Sequence, residues 1–115
     1  MAVNDVFPKM LATPTAVSTS GSVTTVFTVT TNYQWTVKQI IICNTDGVDR
    51  WISLGHNATS ATAGNCFVYQ LPIAAYDTIV LDTALVFDSG QKLYAHADTA
   101  SKVNVAVTGW ERQTA

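Results

Sequence analysis

An all-β fold, an antiparallel β-sandwich of jelly-roll-like type, is what this sequence predicts, and three observations predict it. Apolar and polar side chains alternate over Val23 to Val29 and again over Lys102 to Trp110, the period of two that marks a strand with one buried face. Turn-forming clusters such as Ser20-Gly21, Thr45-Asp46-Gly47 and Asp88-Ser89-Gly90 separate the apolar runs, and no segment repeats apolar residues at helical spacing. Val and Thr are abundant, and β-branched side chains fit a pleated surface better than a helix. An immunoglobulin-like sandwich satisfies the same pattern, because strand order is not written in a single sequence.

Residues 1–19 carry Pro8 and Pro14 without a clean period, so they read as an N-terminal arm or an edge strand. An arm of this kind reaches a neighbouring subunit; the plainer alternative is a tail with a short strand near Met10 to Ala12. Residues 20–115 then form a single sandwich domain. Within it Val23, Thr25, Phe27 and Val29 share one face of a strand, bounded by Asn32.

The segment Trp35 to Leu54 predicts a β-hairpin. Its first strand, Trp35 to Asn44, is apolar on both faces at Ile40-Ile41-Ile42, as in a central strand covered on both sides. Gly47 offers a positive φ for the turn, and Arg50 to Gly55 returns with Ile52 and Leu54 on one face and Trp51 and Ser53 on the other.

His56 to Asn65 reads as a loop, and Cys66 to Ile73 as a strand ended by Pro72, with Phe67, Tyr69 and Leu71 in phase. Short strands are expected at Tyr76 to Asp82, Leu85 to Phe87 and Lys92 to Ala97. The last strand, Lys102 to Trp110, points Val103, Val105 and Val107 inward. The total is about eight or nine strands, the number of a sandwich or barrel.

Composition narrows the function. The 115 residues suit one domain, and a hydrophobic share of 48% supplies a core. Charged residues are only 12%, against roughly 25% in an average soluble domain, so Thr, Ser, Asn, Gln and Ala must cover the surface. Such a neutral exterior repels copies of itself weakly and suits packing into an assembly. The net charge of -2 and the scatter of Lys9, Lys38, Arg50, Lys92, Lys102 and Arg112 leave no basic run for nucleic acid. No apolar stretch is long enough for a spanning helix, and no secretory leader pattern is visible, so the expectation is a chain made in the cytoplasm without a membrane partner.

Candidate chemistry is sparse. Cys43 and Cys66 lack zinc-site spacing and read as reduced buried thiols, with a bridge between them as the alternative. His56 and His96 are the two side chains suited to acid or base work near neutral pH, and both read as surface or interface histidines. Asp46 with Asp49, and Asp82 with Asp88, are conceivable glycosidase pairs that sit where aspartates cap turns. No nucleophile elbow or phosphate loop occurs, so no catalytic, metal or cofactor residues are assigned. Asn57-Ala58-Thr59 matches a glycosylation acceptor and reads as a loop. Trp51 and Trp110 point away from the apolar faces of their strands, and outward aromatic rings serve interfaces or stack on sugars. With Tyr94 and His96 they form the candidate interface set, while Tyr33 and Trp35 read as rim packing.

The order Val37 to Thr45, Trp51 to Leu54, Tyr76 to Asp82, Leu85 to Phe87, Ser89 to Tyr94 and Val103 to Glu111 resembles small β-sandwich structural proteins of tailed bacteriophages. The resemblance is one of ordered strand and turn phrases over roughly residues 35 to 112. It implies a virion component without catalytic residues or cofactor: a capsid decoration or cement protein, or else a tail, neck, baseplate or fibre part. Taken with the small size, low charge, N-terminal arm and outward Trp51 and Trp110, it leads to the expectation of a homo-oligomer, a trimer, bound to the major capsid protein or other virion proteins. A carbohydrate-binding sandwich using exposed Trp and Tyr is the reading from a different class.

Overall fold

The computed structural model describes residues 5–18, 23–57 and 64–115. Eight strands carry the described chain: β1 (Val6–Ala16), β2 (Thr24–Thr28), β3 (Tyr33–Asn44), β4 (Arg50–His56), β5 (Val68–Ile73), β6 (Thr78–Phe87), β7 (Lys92–Ala97) and β8 (Val103–Gln113). They form two antiparallel four-stranded sheets, β1-β8-β3-β6 and β2-β7-β4-β5. Each sheet thus draws strands from both halves of the chain, the double Greek-key order of a jelly roll and not the order of an immunoglobulin sandwich.

Between the sheets lies one core. Val37, Ile40, Ile42, Ile52, Leu54, Ile73, Phe87, Leu93, Val103, Val105 and Val107 are fully buried in it. The inward face of β8 follows the alternation of the sequence. On β3 both Ile40 and Ile42 are buried but Ile41 is only half-buried, so the strand is central within its sheet and covered on one side. At one end Phe27 meets Trp35 and Phe87 edge-on, with ring centroids 5.1 and 4.9 Å apart. Trp35, expected at a rim, is 5% exposed.

The expected hairpin from Trp35 to Leu54 does not exist: β3 pairs with β8 and β6, and β4 pairs with β7 and β5. The chain instead arches from one sheet to the other, which sets Ile40 and Ile42 across the core from Ile52 and Leu54. Asn44 makes the crossing possible. It is fully buried, and its Nδ2 donates toward the carbonyl oxygens of Val48, Ile73 and Ala74 at 2.9, 3.1 and 3.2 Å. Its Oδ1 accepts from Asp46 N–H at 2.9 Å, and Asp46 Oδ1 accepts from Gly47 N–H at 2.8 Å. Side-chain oxygens therefore shape this turn, and Gly47 stays outside the left-handed region; the glycine found there among the described residues is Gly90, at φ 79°.

Local features set the N-terminal strand and two departures, in β5 and β6. Residues 6–16 lie as an edge strand along β8, with Leu11 and Ala12 buried in the core. Pro72 falls inside β5, where an edge strand does not miss the proline N–H. In the same strand Gln70 takes φ 49°, and the bulge turns Val68 and Leu71, rather than Phe67 and Tyr69, toward β4 and the core. The strands expected at Tyr76 to Asp82 and Leu85 to Phe87 are one strand, β6, which begins at Thr78 after a turn at Tyr76 and whose pairing with β3 shifts between Asp82 and Leu85. There Thr83 Oγ1 donates to Val37 O at 2.7 Å.

Candidate interaction surfaces

The outer face of the β1-β8-β3-β6 sheet is built in rows. Register sets Pro8, Trp110, Thr36 and Val86 side by side across four strands, then Met10, Thr108, Gln39 and Asp82. A third row holds Ala106, Ile41 and Val80, and a fourth Asn104, Cys43 and Thr78. Along this face Val6, Met10, Trp110, Val80 and Val86 are exposed by 40 to 52%. Scattered large apolar side chains are ordinary on a protein surface, but here they recur over one sheet with few charges between them. Beside Trp110 a groove of about 500 Å³ is lined by Pro8, Lys9, Lys38, Thr108, Gly109 and Trp110. Gly109 admits no side chain, because a Cβ there would stand 2.0 Å from Thr36 O and 3.0 Å from the core side chain of Leu11.

Trp51, Tyr94 and His96 belong to the other sheet, so the four candidate interface residues do not converge. Trp110 is exposed, Trp51 and Tyr94 are half-buried, and His96 is 3% exposed. His96 was expected at the surface; instead the Trp51 ring stands edge-on to it at 5.3 Å and the bulged β5 closes over the neighbouring Ser53. Ser53 Oγ accepts from Gln70 N–H at 2.9 Å. The Nδ1 of His96 is buried without a hydrogen-bond partner among the described residues, and burial pushes its pKa below the ordinary value. Next to it a crevice lined by Val23, Ser53, Gly55, Cys66, Tyr94, Ala95 and His96 leaves no room for a water molecule.

Charged groups near Trp51 brace the arch. Arg50 Nη2 and Nε donate to Asp46 Oδ2 at 2.7 and 3.0 Å, and Nη1 stands 3.8 Å from Asp98 Oδ2. The Arg50 hydrogen bonds hold the Asp46 carboxyl below its usual pKa and raise that of Arg50. Asp49 Oδ1 accepts from Ala75 N–H, Asp82 Oδ1 from Gln39 Nε2 and Asp88 Oδ1 from Gln34 Nε2, so the aspartates considered as pairs each serve a turn or a cross-strand bond. His56 stacks on Phe87 at 4.0 Å, with Nε2 2.8 Å from Val86 O. Cys43 and Cys66 are unbridged and half-buried, and burial raises the pKa of the Cys66 thiol. Among the described residues no cluster of three or more His, Cys, Asp or Glu is arranged to hold a metal ion. The expected loop at His56 to Asn65 and the acceptor pattern at Asn57-Ala58-Thr59 lie partly outside the described residues.

One buried group went unremarked in the sequence. Glu111 is 8% exposed, and its Oε2 accepts from Trp35 Nε1 at 2.9 Å and from Lys9 Nζ at 2.8 Å. Its signal was its phase: it continues the inward row of Val103, Val105, Val107 and Gly109.

No family model matches this chain, and a search of curated proteins finds no similar sequence.

Proposed function

We propose that this chain is a non-enzymatic structural protein of a tailed-phage virion, a capsid decoration or cement protein that self-associates and binds neighbouring capsid subunits. The observation that carries this reading is the outer face of the β1-β8-β3-β6 sheet, where exposed Val6, Met10, Trp110, Val80 and Val86 share one weakly charged surface. Jelly-roll sandwiches recur in capsid architecture, and the ordered phrases from Val37 to Glu111 support the same assignment. Repetition over a symmetric shell lets modest contacts per copy add up. The test is to label the chain in intact particles with gold-conjugated antibody and to heat particles with and without it. Label over the shell and earlier rupture of depleted particles are expected; label on the tail, or its absence from particles, overturns the reading.

A carbohydrate-binding module is the second reading, favoured by the groove in which the Trp110 and Pro8 rings lie near Lys38. Aromatic faces stack on sugar rings, and lysines select acidic ones. Binding to a glycan array that is abolished by Trp110→Ala is its expected result, and a blank array removes it.

A further inference from the structure

A sandwich has four sheet edges, and here they are not protected alike. Exposed edges offer unpaired N–H and C=O groups to any other strand, and proteins blunt them with proline, bulges, charges or shortness. The β1 edge carries Pro8, Pro14, Lys9 and two register shifts. The β5 edge has Pro72 and the Gln70 bulge, and β2 is five residues long with its own register shift. By contrast β6 runs ten residues with no proline and no positive φ, Asp82 is its one charge, and its register shift falls after Asp82, leaving Thr78 to Asp82 unbroken.

Among the described residues the core is also less covered on that flank. The partly buried apolar residues packed against the core are Tyr33, Val68, Leu71, Ile79, Leu81 and Leu85, and all but Tyr33 lie on β5 or β6. Leu11, Ala12, Val26 and Phe27, on the β1 and β2 strands at the opposite flank, are buried. An occupant of the open side must therefore supply strand hydrogen bonds and apolar cover together. Since the molecule's other edges are blocked, the strand that meets both needs is β6 itself.

We propose that β6 pairs antiparallel with β6 of a second copy across a two-fold axis at Val80, joining the two outer sheets into one. The arm Thr78 to Asp82 is in regular register with β3, so it is straight enough to receive a neighbour. Centring the axis on Val80 sets Val80 against Val80, Ile79 against Leu81, and Thr78 against Asp82. That register keeps the two Asp82 carboxylates apart and gives each one the Thr78 hydroxyl of the other copy as a donor. Identical strands joined edge to edge make an isologous pair, so this contact yields a dimer in place of the three-fold form expected from the sequence. The inference goes beyond the virion reading and does not depend on it, because it concerns the purified protein alone.

Light scattering after size exclusion at micromolar concentration tests it. The wild type is expected at twice the 12.3 kDa chain mass. Val80→Lys, which puts two ammonium groups on the axis, is expected to halve that mass while the far-ultraviolet β spectrum is unchanged; Val80 is 51% exposed, so the lysine has room in the monomer. With Cys43 and Cys66 changed to Ser, Val80→Cys is expected to give a covalent dimer on oxidation and Val86→Cys none. A wild-type mass of one or three chains, an unchanged mass in Val80→Lys, or equal cross-linking at both positions overturns the proposal.

Discussion

The indole N–H of Trp35 and the carboxylate of Glu111 are joined at 2.9 Å inside one end of the sandwich, tying β3 to β8 by side chains as well as by backbone. Lys9, on β1, completes the group at 2.8 Å from the same oxygen and lies 5.2 Å from the centroid of the Trp35 ring. Three adjacent strands of one sheet thus meet at a single oxygen. Replacing Glu111 with Leu strands the Trp35 donor and the Lys9 charge, and a loss of about 2–4 kcal/mol is expected. Lys9→Met leaves the buried carboxylate with the Trp35 donor alone and should cost less, about 1–2 kcal/mol. Urea unfolding of both variants checks the ranking, and equal losses would contradict it.

Asn44 holds the arch, and its value shows in a pair of variants. Asn44→Ala removes a buried amide that faces three carbonyl oxygens, so about 2–3 kcal/mol of stability should be lost. Asn44→Asp puts an acceptor where a donor is needed and should cost more. Chemical denaturation measures both, and a milder effect for Asp would place the side chain elsewhere.

His96 makes stability depend on pH with a definite sign. Its folded pKa is depressed by burial, so between that value and the unfolded 6.5 the unfolded chain binds more protons. The contribution is therefore present above pH 6.5 and is lost as pH falls through the window down to the folded pKa. The groups around it are Trp51, edge-on, and the Arg50 and Asp98 pair at the same end of β4 and β7. Urea midpoints for the wild type should drop from neutral to mildly acidic pH, and His96→Leu should flatten that part of the profile. An unaltered profile would rule out His96 as the cause.

Trp110 separates folding from attachment. Trp110 is 40% exposed, so Trp110→Ala removes partial packing and should cost about 1–2 kcal/mol while leaving the chain folded. In the proposed role the same variant should bind particles at least several-fold more weakly. Co-sedimentation with particles depleted of this chain reads the second effect, and unaltered binding would move the contact to another face.

Both cysteines should react as thiols. Titration of the denatured protein without reductant should find two thiols per chain, and in the native protein Cys66 should be alkylated more slowly than a free thiol because burial raises its pKa. A count near zero would mean a bridge.

Strand positions were legible because burial on one face writes itself as alternation, and Val103, Val105 and Val107 show this without exception. Strand partners were not: Ile40 to Ile42 and Ile52 to Leu54 have the same periodicity whether they lie side by side or face each other across a core. The length of the Thr45 to Asp49 link allows either, and the choice falls to a buried asparagine that bonds Val48 O in its own turn and Ile73 O and Ala74 O some thirty residues on. His96 misled for a related reason. Its phase points outward, but the covering Trp51 ring belongs to another strand. Trp110 was read from phase alone, and its neighbours on the face, Met10 and Val86, arrive from opposite ends of the chain.

The place of β8, last of the described strands yet between β1 and β3, has a kinetic consequence. Val6 pairs with Arg112, so the β1-β8-β3-β6 sheet closes over nearly the whole chain. Closing so long a loop before its contacts repay the entropy makes folding slow. Until β8 is made, β1 and β3 each wait with a bare edge, so the sheet assembles only once β8 is present.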